Sequence, residues 1–471
     1  MRPFGIQLSE EPPSSGSGGS VFLATRLPWA RRGRTVAVVL LLGLMIREAL
    51  SFWTGQPYDF EVWIRTGYVV GHGTDPYTSF WPPVPGLSIA YGHRDLTSAA
   101  YLPFWSLYTG GAYRAYLIVG GGNRFVYYFL LKQGPIVADV VTAGLLYRLV
   151  FRGSGDRSLA LGAAAFWSFF PYAILISAVW GQFDAIAVVV LLASLLTADP
   201  ARKNVAYGLG IFVKWVTAMF LPFEVFRRRG RERLWVGVAL LVPLVLTGVV
   251  FLALGWGLGG VGGVAASESG GIGGGMNWAR LVSPYGPAAL VGHLPGATLV
   301  FGFLWVPGVV LAGWIAAKHQ GGTSLGAEVD AIVGIVTVFL LLRWGLNEQY
   351  MLYLFAPFLV DVMVFHRDRV ELFVALVGLA LAFLVINNTL LVPFLSPLGP
   401  QYQAWFYAAN NAPGWDPLRL WTLDVLAVVV TVTLAQLAYL VLARRGRTSP
   451  WFLQLGRWVL GRPSRSRPGG G

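Results

Sequence analysis

Asp59 stands in Gln56-Pro57-Tyr58-Asp59-Phe60-Glu61-Val62-Trp63, just past the first long apolar run of the chain. A carboxylate held near a membrane surface suits general-base work, taking the proton of an attacking hydroxyl while a leaving group departs from a lipid carrier. The plainer alternative is a solvated loop acid. Glu61 competes for the role, but on a helix it faces away from Asp59, so only one of the two need point inward. Asp184 closes Trp180-Gly181-Gln182-Phe183-Asp184, where Gln182 and Asp184 offer an amide and a carboxylate to a sugar or a metal. An acid at this place also makes a good helix cap.

Lys214 falls in Gly208-Leu209-Gly210-Ile211-Phe212-Val213-Lys214-Trp215, an apolar setting in which a lysine is costly and marks a functional site unless it snorkels to an interface. Asp139, in Lys132-Gln133-Gly134-Pro135-Ile136-Val137-Ala138-Asp139, is likewise embedded and serves either a site or a basic partner. Arg343, Glu348, Gln349 and Tyr350 collect at one helix turn. There a guanidinium suits a phosphate, and Tyr or Gln suits sugar hydroxyls; Arg343 would serve equally as an interfacial anchor. The five histidines show no HExxH or i, i+4 pairing, so no zinc site is expected. Walker loops, G-x-S-x-G elbows and dinucleotide fingerprints are absent, which argues against a soluble nucleotide donor.

The scaffold that must position these residues is helical and apolar. The 471 residues are 55% hydrophobic and 12% charged, against roughly 25% charged in an ordinary soluble domain. Runs at 35–52, 234–254, 370–392 and 420–442 reach the roughly 20 residues a membrane helix needs. They lack the alternation of barrel strands. The net charge of +13 sits at the ends of apolar runs, as in Arg31-Arg32-Gly33-Arg34 and Arg227-Arg228-Arg229-Gly230-Arg231. That is the pattern of positive-inside anchors touching membrane lipids, with no nucleic-acid partner expected. No cysteine is present, so disulfide and thiolate chemistry are excluded.

Charge parity then orders the chain as an all-α polytopic transmembrane bundle of about 11–13 helices, with both termini cytoplasmic. A first helix over about 35–53 is followed by a long extracytoplasmic loop, 54–130, in which 99–119 lies along the interface as a helix rather than crossing. One helix is expected over about 159–178. The segment 206–225 begins and ends near inside charges, which a pair of half-helices turning near Lys214 and Trp215 would explain. Residues 1–34 and 446–471 read as disordered cytoplasmic tails.

The ordered set of short matches resembles a known family. It comprises an acid after the first helix with Gly73-Thr74-Asp75-Pro76-Tyr77 downstream, Lys132-x-x-Pro135-x-x-x-Asp139, Pro171 leading to Gly181-Gln182-Phe183-Asp184, Lys214 followed by Pro222, and Gln349-Tyr350 with Pro357. This looks like the GT-C superfamily of polytopic glycosyltransferases, nearest the GPI mannosyltransferase-like and polyprenyl-phosphate-mannose-dependent branches. The resemblance implies a catalytic module over 35–360, followed by variable helices over 361–445. It implies a polyprenyl- or dolichyl-phosphate sugar donor, a lipid-linked or protein acceptor, and inverting transfer of a hexose such as mannose on the non-cytoplasmic face of a cell membrane. Asp59 would be the base, with Glu61, Asp139, Gln182, Asp184, Lys214, Arg343, Glu348, Gln349 and Tyr350 lining the substrate. Divalent-metal use is left open by the family; an Asp-x-Asp pair is lacking here, so no metal ligand is assigned. The rival expectation is a secondary transporter or lipid-carrier flippase, which also uses broken helices and buried charges.

Overall fold

A computed structural model describes residues 33–78, 81, 83–89, 101–257, 275–283, 287, 297–319 and 324–443. The expected tails and most of the loop 255–296 lie outside these. Among the described residues the architecture is all-α, with one isolated bridge between Gly275 and Leu346. The helices, in order, are α1 (Gly33–Ser51), α2 (Pro57–Gly71), α3 (Pro103–Ile118), α4 (Arg124–Ser154), α5 (Arg157–Ser168) and α6 (Pro171–Ile174). A π-helical turn, Leu175–Trp180, leads on to α7 (Asp184–Leu196), α8 (Pro200–Val213), a 3-10 turn Trp215–Phe220, α9 (Leu221–Arg227) and α10 (Leu234–Leu254). Then come α11 (Trp305–His319), α12 (Leu325–Leu342), α13 (Leu352–Val360), α14 (Val370–Asn387), α15 (Pro400–Asn410) and α16 (Trp415–Leu442).

Among the described residues, seven helices are long and apolar enough to cross a membrane, or eight if the bent pair α5–α6 with its π turn counts as one span, in keeping with the expected all-α polytopic bundle. α1 carries Arg34, Arg47 and Glu48, and α7 and the α8–α9 segment are short or broken. Leu244 on α10 is 67% exposed and Leu252 81% exposed. Apolar faces of this kind are tenable where lipid, not water, surrounds them.

The single helix expected over 159–178 is instead broken by 43°. Pro171 has no N–H to give the carbonyl of Trp167 four residues earlier, which accepts instead from Phe170 N at 3.2 Å. Arg47 Nη2 donates to that carbonyl at 3.3 Å, and its Nη1 donates to Ser168 O at 2.7 Å and Gly43 O at 3.0 Å. The charge on Arg47 is met by Asp139, 2.7 Å from its Nε. The break is therefore satisfied from within, as broken backbone at membrane depth requires.

After α1 come α2 and α3, of 15 and 16 residues. α3 runs antiparallel beside the first part of α4: Tyr108 Oη accepts from Gly134 N at 2.6 Å, and the Tyr116 and Tyr127 rings lie 5.4 Å apart. At 1.5 Å per residue the 31 residues of α4 extend about 46 Å, against about 30 Å of hydrocarbon.

Two layers of charge divide the bundle. In one, Glu328 near the start of α12 accepts from both Lys203 on α8 and Arg227 on α9, and Arg152 at the end of α4 donates to Leu196 O at 3.0 Å. Arg369 bridges Asp330 and Asp361 at 2.6 and 3.1 Å. Because Lys203 and Arg227 share one carboxylate, the chain between them leaves this layer and returns to it. Lys214 lies at the far turn, about 16 Å along α8 from Lys203. The half-helix pair expected around Lys214 and Trp215 is thus present. Arg343, at the other end of α12 from Glu328, is displaced by about 22 Å.

Candidate functional site

The second layer holds most of the residues singled out from the sequence. Gln56 caps α2, its side chain accepting from Asp59 N at 2.7 Å, and Pro57 supplies the first helical φ. Asp59 thereby sits in the first turn, where helix polarity favours a negative charge. Its side chain is not spent on capping. Oδ2 accepts from Trp180 Nε1 at 2.9 Å and from Gln182 Nε2 at 2.6 Å. No bond to Oδ1 is found among the described residues, and Asp59 keeps partial exposure. Burial of the carboxyl pushes its pKa above the ordinary carboxylate value, and the Asp184 charge adds to the rise; the Trp180 and Gln182 bonds and the Lys214 charge oppose it without cancelling it.

The donors to Asp59 arrive by an unusual local backbone. The π-helical turn ends in Gly181 at φ +89°, a left-handed conformation that glycine adopts without strain. A Cβ there would meet Lys132 Cγ at 3.2 Å. The chain then doubles back so that Trp180 and Gln182 both face Asp59, and α7 starts at Asp184.

Asp184 does not cap α7. Both its oxygens lie 2.9 Å from Lys214 Nζ. Lys214 is set by the end of α8, where its own backbone turns extended at φ −155° and ψ 120°. It is 3% exposed, which rules out snorkelling. Aromatic rings surround its amino group: Phe183 at 4.8 Å, Tyr350 at 5.0 Å and Tyr101 at 5.9 Å. Tyr350 also faces Arg343, whose guanidinium carbon lies 6.0 Å from that ring and 4.9 Å from Trp215. Arg343 ends α12 and its carbonyl accepts from Asn277 Nδ2 at 2.8 Å. It is a buried cation stacked on aromatics rather than an interfacial anchor. Glu348 accepts from Asn387 Nδ2 at 2.7 Å, and its backbone carbonyl accepts from Tyr172 Oη at 2.6 Å. Gln349 is buried, and its Oε1 finds no partner among the described residues.

Asp59, Gln182, Asp184, Lys214, Arg343 and Tyr350 therefore converge, with Glu348 and Gln349 in the adjoining turn. Glu61 and Asp139 do not join them. Glu61 is closed off by Arg65 Nε at 2.6 Å and Ile89 N at 2.7 Å. Asp139 is saturated by Arg47, Trp167 Nε1 at 2.7 Å and Ser177 Oγ at 2.8 Å. Both are structural ion pairs, and neither has a spare oxygen for a substrate. The sequence reading gave no role to Trp180, although its place in Trp180-Gly181-Gln182 pointed to it, or to Lys132.

The residues present do not fit a metal at this centre. Asp184 gives both oxygens to Lys214, and Gln182 turns its amide nitrogen to Asp59. Among the described residues, Asp330, Asp361 and His366 bring metal-ligand atoms within 4.8 Å of one another, but they lie in the opposite charge layer. There the Arg369 guanidinium already serves both carboxylates. His366 Nδ1 bonds Asp361 at 2.7 Å, which raises the His366 pKa.

Compared with known proteins, the chain matches no family model and no curated protein.

Proposed function

We propose that the protein is a membrane glycosyltransferase that moves a hexose, mannose in the branches it most resembles, from a polyprenyl- or dolichyl-phosphate donor to a hydroxyl of a lipid-linked or protein acceptor. Asp59 is the general base. One observation carries this reading: a desolvated carboxylate with one oxygen fixed by Trp180 and Gln182 and the other unbonded among the described residues, set next to a buried cationic pair around Tyr350.

In the proposed step the acceptor oxygen attacks the anomeric carbon while Asp59 Oδ1 takes its proton. The anomeric C–O bond breaks, and its electron pair leaves on the carrier phosphate, with inversion at carbon. A base with a raised pKa drives that proton transfer better than an ordinary carboxylate does. The phosphate gains a negative charge, which needs preorganised cations. Arg343 has the fork geometry that phosphate oxygens favour. Lys214 must divide its three donors between Asp184 and the phosphate, so its contribution is the smaller. Buried Glu348 and Gln349 are suited to sugar hydroxyls.

The basic layer of Arg152, Lys203, Arg227 and Arg369 supports a cytoplasmic assignment for that end. The Asp59 layer then opens to the non-cytoplasmic side of a cell membrane, where a lipid-linked donor presents its sugar. The test uses purified protein in liposomes with radiolabelled mannosyl- and glucosyl-phosphopolyprenol, a lipid extract and a Ser/Thr peptide. Transfer of label from one donor to one acceptor class is the expected result. If label crosses the bilayer unchanged and is never transferred, the protein is a transporter or flippase instead.

A further inference from the structure

Lys132 is fully buried on α4, and no carboxylate among the described residues lies within ion-pair distance of it. Its amino group is held instead by oxygens: the carbonyl of Thr54, Thr54 Oγ1 at 3.0 Å, Ala178 O at 2.9 Å and Val179 O at 3.4 Å. The Phe60 ring lies 5.1 Å away on another side. An isolated cation at such depth is expensive, so a lysine spent on carbonyls alone calls for an explanation.

The oxygens belong to two segments with different tasks. Thr54 is in the turn between α1 and α2, five residues before Asp59. Ala178 and Val179 lie in the π-helical turn Leu175–Trp180, immediately before Trp180, Gly181 and Gln182. One amino group therefore ties the backbone that presents the carboxylate to the backbone that presents its two donors. Gly181 fits the same arrangement, because a side chain there would press on Lys132 at 3.2 Å from Cγ and 3.3 Å from Cε. Phe60, next to Asp59, lies against the same group.

We propose that Lys132 is a positioning residue for the base: by clamping Thr54 to Ala178 and Val179 it holds the Asp59 carboxylate against Trp180 and Gln182. Its catalytic meaning rests on Asp59 being the base, but the clamp can be tested without turnover. The two donors stabilise the ionised carboxylate. Loosening the clamp weakens both bonds and moves the Asp59 titration upward.

The experiment follows modification of Asp59 by dicyclohexylcarbodiimide in the purified full-length protein as a function of pH, by mass spectrometry of the Asp59 peptide. The reagent attacks the protonated acid, so the midpoint of labelling reports ionisation. Lys132→Met is expected to raise the midpoint by about one pH unit, and Lys132→Arg, which keeps donors in place, by less. In a Trp180→Phe/Gln182→Leu background Lys132→Met is expected to change the midpoint little, because the groups it acts through are gone. An equal shift in both backgrounds would mean a direct charge effect, and no shift in the native background would mean no coupling; either overturns the clamp. If Lys132→Met does not fold, Thr54→Val removes the hydroxyl, with its bonds to Lys132, Leu50 O and Ala178 O, and keeps the charge and the Thr54 carbonyl contact. A smaller upward shift is expected from it, and an unchanged midpoint overturns the proposal. Absence of transfer by the unmutated protein, with the expected labelling shifts present, would count against the transferase reading alone and leave the clamp standing.

Discussion

At the scale of single residues, the division of labour at Asp59 yields the sharpest expectations. A base must be deprotonated to act, so transfer should rise with pH through the raised Asp59 value and level off above it. Trp180→Phe or Gln182→Leu removes a bond that favours the ionised form. Either should move the rising limb of the pH–rate profile to higher pH, and an unmoved limb would dissociate those donors from the base. Arg343 offers a second contrast. Arg343→Ala should lower transfer by at least tenfold and Arg343→Lys should restore part of it, since a point charge replaces a fork. Equal activity for all three forms would remove Arg343 from the phosphate site. That Asp59, Asp184, Lys214 and Arg343 gather is legible because charge is costly in apolar surroundings; Gln182 and Tyr350 are legible only as their near neighbours in sequence. Glu61 is paired with Arg65, four residues on, a helical neighbour that signals an ion pair. Lys132 is legible as a cation in an apolar run, but its partners are not, because most are carbonyls that every residue possesses.

At the scale of elements, the breaks set the geometry. α8 stops at Lys214 and turns back, and α5 breaks before Pro171. The return at Lys214 was readable from basic residues at both ends of 206–225. The bend at Pro171 was not, because the group that satisfies it, Arg47, lies 120 residues away in sequence from Trp167. The sequence leaves Asp139 open between a site and a basic partner for the same reason: its partner is 92 residues distant. Arg47→Met removes the side-chain donors to the Trp167 and Ser168 carbonyls and leaves Asp139 without its cation, which should cost on the order of 3 kcal/mol. The expected readout is a lower Tm in detergent, with Arg47→Met/Asp139→Leu recovering much of it. Rates per folded molecule should stay near wild type, and a specific loss of transfer in the stable double variant would return Asp139 to the substrate-lining residues.

At the scale of the whole molecule, charge gathers in two layers, one around Asp59, Asp184, Lys214 and Arg343 and one rich in basic side chains around Glu328 and Arg369. The apolar runs made the all-α polytopic class plain, whereas the breaks in them were harder to read, because several apolar segments are half-length or interrupted. With no native cysteine, single cysteines report sidedness cleanly. Gly155→Cys and Arg202→Cys should react with an impermeant maleimide only from the cytoplasmic side, and His72→Cys only from the other. Reaction of all three from one side would overturn the two-layer orientation. The central claim is that Asp59 accepts the proton of the attacking hydroxyl. It is tested most directly by the single-turnover rate of sugar transfer from polyprenyl-phosphate hexose in wild type and Asp59→Asn, with donor binding measured on the same samples. The account predicts a rate lower by about 10² to 10⁴-fold with donor binding retained; transfer by Asp59→Asn at the wild-type rate would contradict it.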